Sequence, residues 1–132
     1  MAIDCIEEVP GAVELSNWFG GFPSFHDAYM ALQINHDGTG WLKAYAARMS
    51  SEIDADGYYV SDKHFACTFQ FADIKQVSIG EFMPGLAILG QLDINKVAEG
   101  FEVDFTDTAY GLSGSLICRG ISLTFEPGAK AP

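Results

Sequence analysis

Basic residues are scarce in this chain: 7 Lys and Arg stand against 18 Asp and Glu in 132 residues, a formal net charge of -11. A surface of that sign repels nucleic-acid phosphates and anionic lipid, so neither nucleic acid nor a membrane is an expected partner. It steers a basic protein towards itself, although solubility alone also accounts for an acid excess. Cysteine is equally sparse. Cys5, Cys67 and Cys118 are odd in number and lack CxxC spacing, which argues against a disulfide scaffold and a zinc clamp and leaves reduced thiols. Hydrophobic residues make up 48% of the chain, yet no run approaches the ~20 apolar residues that a membrane helix needs. Met1 to Glu8 carries acids where a signal peptide has bases and then an apolar stretch, so a cytoplasmic location is expected. The nucleotide, esterase and protease signatures GxGxxG, GxxxxGK, GxSxG and HExxH do not occur, nor does any internal repeat.

The length suits one domain, residues 1–132, with a real core. Residues 12–18, with apolar groups at Val13, Leu15 and Trp18 and Gly20-Gly21 behind them, predict a brief helix with a glycine stop. From Tyr29 onward the period is two. Met30, Leu32 and Ile34 alternate with polar or small residues, a turn follows at His36 to Gly40, and Trp41 to Met49 returns as the partner strand. In His64 to Phe71 one face carries Phe65, Cys67, Phe69 and Phe71, which marks a core strand. Ile74 to Ile79 reads as a further strand, and Leu86 to Val97 as another with a bulge at Gly90. Phe101, Val103 and Phe105 alternate with Glu102, Asp104 and Thr106, giving one apolar and one acidic face. Leu112 to Cys118 and Ile121 to Phe125 differ by one residue in phase, which predicts a bulge at Arg119-Gly120 and a frayed tail from Glu126. Seven or eight such strands predict a mainly β fold, an antiparallel β-sandwich or bent β-roll with one or two short helices near the N-terminus.

The most distinctive stretch is Trp18 to Ala28, which holds four aromatic residues, Pro23 and an adjacent His26 and Asp27. Ser24 and Asp27 have capping-box spacing, so the Ser24 hydroxyl is expected to accept from the Asp27 N–H and the Asp27 carboxylate from the Ser24 N–H. His26 and Asp27 also suit an acid-base or metal pair, but neither His36 nor His64 sits where it completes a metal site. No metal, cofactor or catalytic residue is assigned.

The order of an aromatic-glycine run, then Pro23-Ser24-Phe25-His26-Asp27-Ala28, then the alternating run to Asn35 resembles a family of small bacterial immunity proteins, numbered fifty in the immunity series of polymorphic toxin systems. The likeness is most specific over residues 15–35. It departs at Tyr29, where the family tends to carry an acid, and at Phe82-Met83-Pro84-Gly85, where the loop tends to be polar. The resemblance implies a non-enzymatic cytoplasmic protein that binds and neutralises a cognate toxin domain.

Two acidic segments are the expected contact residues for a basic toxin domain. One is the loop in which Glu52, Asp54, Asp56 and Asp62 bracket Tyr58 and Tyr59, and the other is the Glu102 and Asp104 side of its strand. The loop is not a calcium site, because Lys63 stands where a bidentate glutamate belongs. Two rivals remain: a small enzyme using His26 and Asp27, favoured by a deep polar pocket converging on His26, and a β module that self-associates, as a homodimer, through an edge strand.

Overall fold

The computed structural model describes residues 5–57, 59–80, 87–107 and 113–131. Among the described residues a 3-10 turn, Ile6–Glu8, and the helix α1, Ala12–Phe19, precede six strands. These are β1 Tyr29–Ile34, β2 Gly40–Ile53, β3 Tyr59–Ile79, β4 Ala87–Val97, β5 Gly100–Asp107 and β6 Ser113–Pro127. All pair antiparallel, in the order β1-β2-β3-β6-β5-β4, and β4 meets β1 again so that the sheet closes into a barrel. The mainly β, antiparallel expectation with short N-terminal helices therefore holds. The sheet takes the bent arrangement, curled until it closes.

Period-two alternation builds the core. Phe65, Cys67, Phe69 and Phe71 point inward from β3, where Phe69 faces Leu42 on β2 and Leu123 on β6, and Cys67 faces the small Ala44. Phe101, Val103, Phe105, Leu116 and Cys118 are buried as well, on the face that the alternation turns inward.

An eight-residue helix is too short to persist alone in water, and α1 is held by what it buries. Ala12 and Leu15 are fully buried, and burying one leucine contributes about 1.5–3 kcal/mol. Trp18 and Phe19 pack against Phe65 at centroid distances of 5.7 and 5.2 Å, and Trp18 also meets Phe125 at 5.6 Å. Entry to the helix is pinned where the Leu123 N–H donates to Pro10 O at 2.8 Å. A side chain at Gly11 would meet the Leu123 carbonyl oxygen, and the backbone there is left-handed at φ +93. The expected glycine stop is present: Gly20 is left-handed, and the N–H groups of Gly20 and Gly21 both donate to Ser16 O, at 2.9 and 2.8 Å. Val13 lies on the exposed face of the helix.

Three expectations need correction. The separate strands expected at His64 to Phe71 and Ile74 to Ile79 are one strand, because pairing with β6 continues from Phe65 to Ile79. The phase change at Arg119-Gly120 is not a bulge of β6 alone. Asp73, at φ +54, stands opposite Arg119, so both strands change phase together, and the register shift falls between Ile74 and Gln76. Asp73 ties the bend with carboxylate contacts to Lys75 at 2.9 Å and Arg119 at 3.5 Å. The tail is not frayed at Glu126: β6 runs to Pro127, and the Gly128 N–H donates to His64 O at 2.6 Å. The bulge expected at Gly90 is present, as a register shift between Leu89 and Gln91.

Candidate functional site

The distinctive N-terminal stretch lies at the seam of the barrel. There β1 and β4 pair in register at Tyr29 with Ile88 and Met30 with Ala87. The turn before β1 lengthens this short contact. Asp27 N–H donates to Leu89 O and Leu89 N–H to Ala28 O, both at 2.8 Å, and Ala28 N–H donates to Phe25 O at 3.1 Å. The capping box therefore does not form: the Asp27 N–H that it needs is taken by Leu89. Ser24 Oγ accepts instead from the His26 N–H at 3.3 Å, a two-residue serine turn. Phe25 and Asp27 both sit at positive φ, +58 and +64. The reversal at Phe25 turns its ring inward, against Phe22, Phe65 and Phe69 at 6.0, 6.0 and 5.7 Å, all edge-to-face.

His26 is oriented by the bulge on β4 and not by its neighbour. Its Nδ1 lies 3.1 Å from Gly90 O, so Nδ1 carries the hydrogen, because a carbonyl only accepts. Its Nε2 lies 3.8 Å from Asp27 Oδ2, beyond hydrogen-bond range, with side chains 61% and 73% exposed. Beside this pair lies a hollow of about 600 Å³, broadly open to solvent. Ala28, Ala46 and Ala47 leave its space. Tyr29 and Tyr45, opposite each other in the β1–β2 register, border it together with Arg48, His64 and Lys130. It is a surface groove and not a deep pocket converging on His26. Lys63, left-handed at φ +49, precedes His64 in β3: its ammonium donates to Trp18 O at 2.7 Å, and β2 and β3 shift register beside it, between Ala46 and Arg48. Tyr45, Arg48 and Lys130 carry no motif in the sequence; their meeting depends on that bulge and on the returning tail.

The acidic residues fall in two places that the structure does not join. Glu52, at the end of β2, and Asp54 and Asp56, on the β2–β3 connection, are exposed; Asp54 Oδ1 accepts from the Asp56 N–H at 2.9 Å and Asp54 O from the Gly57 N–H at 3.1 Å. Tyr58 lies outside the described residues. Of Tyr59 and Asp62 only the backbone is described, paired with Ile53 and Arg48. Glu102 and Asp104 lie on the outer face of β5, which β6 separates from β3. Asp104 is paired in register with Asp93 on β4 and Ser115 on β6. Asp104 beside Glu102 holds the Glu102 carboxyl above the usual carboxylate range, with Glu99 adding to the repulsion.

Cys5, Cys67 and Cys118 are buried and form no disulfide. Burial pushes the Cys67 thiol far up and that of Cys118 up to about 11, which keeps both protonated and unreactive at neutral pH. Among the described residues no group of three or more His, Cys, Asp or Glu is placed to hold a metal ion, and no helix is long and apolar enough to cross a membrane.

No protein-family model, curated protein or solved structure matches the chain.

Proposed function

We propose that this is a non-enzymatic immunity-type protein that binds a cognate basic toxin domain in the cytoplasm and neutralises it by occlusion. The crowding of like charge on β5 carries the reading. Glu102 and Asp104 stand on the outer face of a strand whose inner face is the core, so the alternation that buries Phe101, Val103 and Phe105 holds both carboxylates to one side, where Asp104 raises the Glu102 carboxyl. A cationic surface laid over them relieves that repulsion, and the net charge of -11 draws such a surface in from a distance. The exposed Glu52, Asp54 and Asp56 extend the same attraction to the hairpin. The resemblance of residues 15–35 to the immunity family supports the reading from the sequence side.

The test uses the intact tagged chain as bait in lysate of its native host. The expected prey is a basic domain that arrests growth when expressed alone and does not when this protein is co-expressed. Glu102→Gln with Asp104→Asn should slow association and flatten its dependence on salt. A captured domain that is harmless alone, or a toxic one that this protein does not relieve, overturns the assignment.

A further inference from the structure

Positive charge gathers in the hollow beside the seam. Among its described lining residues Arg48 and Lys130 are cationic and Asp27 is acidic, on a chain of net charge -11. His26 and His64, two of the three histidines in the chain, line it as well. With Nδ1 committed to Gly90 O, His26 has only its Nε2 edge free for another partner. Tyr29 and Tyr45 supply ring surface, and the Lys43 ammonium sits 5.3 Å from the Tyr45 ring centroid, adding a further cation beside the groove. Most of the remaining lining is carbon, from Phe19 and four alanines. The volume of about 600 Å³ lies within the roughly 300–1,000 Å³ of sites that take small organic molecules.

We propose that this groove binds a small anion carried on a planar ring, an aromatic carboxylate or an aromatic phosphate. Lys130 takes the charge, with Arg48 on the border of the groove, and the two histidines line its approach. Tyr29 and Tyr45 flank the planar body over the alanine floor, a surface that a bare inorganic ion leaves wet. The site is separate from the acidic outer face of β5 and does not depend on the toxin-binding reading.

The test is an NMR titration of the intact chain with benzoate, phenyl phosphate, inorganic phosphate and phenol. Saturable shifts at His26, His64, Tyr29 and Tyr45 are expected with at least one aromatic anion, and the tighter of the two names the anion class. Binding of inorganic phosphate and of phenol should be weaker by about tenfold or more. Lys130→Gln should weaken the aromatic anion about tenfold with an unchanged unfolding midpoint, whereas Lys75→Gln, outside the groove, should leave the affinity as it is. Arg48→Lys keeps the charge and should bind within about threefold of the parent. No saturable shift with either aromatic anion, equal binding of inorganic phosphate, or full affinity in Lys130→Gln overturns the proposal.

Discussion

Asp27 donates its backbone N–H to the Leu89 carbonyl at 2.8 Å, and it does so from a left-handed conformation at φ +64. The motif that stands out in the sequence is thereby a clasp on the barrel seam, made by backbone groups while the Asp27 side chain faces solvent. Substitutions at this position should accordingly sort by backbone preference. Asp27→Gly should stay within about 0.5 kcal/mol of the parent, because relief at positive φ and extra unfolded-state freedom oppose each other. Asp27→Val should cost about 1–2 kcal/mol or more, since a branched side chain resists that conformation. Urea unfolding of both variants is the measurement; a valine tolerated as well as glycine would show that the backbone is not held there.

Gly114 is set by a neighbouring ring. A Cβ there would lie 2.5 Å from Phe105 Cζ, and Phe105 is 2% exposed, so the ring has little room to withdraw. Gly114→Ala should destabilise by about 1–3 kcal/mol through overpacking. Adding Phe105→Leu should recover part of that loss, giving a double-mutant coupling that two independent sites would not show.

Phe69 lies at the centre of the barrel, edge-to-face with Phe25 and opposite Leu42 and Leu123. Phe69→Ala should cost about 3–5 kcal/mol from lost burial and the cavity left behind. A loss under about 1 kcal/mol in equilibrium denaturation would place that face in solvent.

Two carboxyls should give opposite pH signatures. Asp104 raises the Glu102 carboxyl in the folded chain, so ionised Glu102 opposes folding at neutral pH, and the penalty fades as pH falls through its folded value. Glu102→Gln should therefore be the more stable protein at neutral pH, with its advantage shrinking in acid. Asp37 runs the other way: hydrogen bonds from the Thr39 hydroxyl and N–H lower its carboxyl. Its contribution is present above the unfolded value and lost as pH falls through the lowered one. Asp37→Asn should be less stable at neutral pH and equal to the parent in acid. Unfolding midpoints across the carboxylate range compare all three proteins, and parallel profiles would remove both effects.

Residue order was enough wherever local chemistry decides. Period-two alternation named Phe65 to Phe71 and Phe101 to Phe105 as core, because side chains on a strand have only two sides and one of them is apolar. Gly20 ended the helix because a residue without Cβ takes the left-handed conformation that other residues resist. The tertiary structure alone decided which distant backbone groups meet. Ser24 and Asp27 have the spacing of a capping box, yet the Asp27 N–H goes to Leu89, far along the chain. Closure of β4 on β1, the joining of two strand segments along β6, and the tail's return to His64 are of the same kind. Every non-proline residue offers the same N–H and C=O, so such pairings leave no mark of residue type, and they are settled only when the whole sheet is in place.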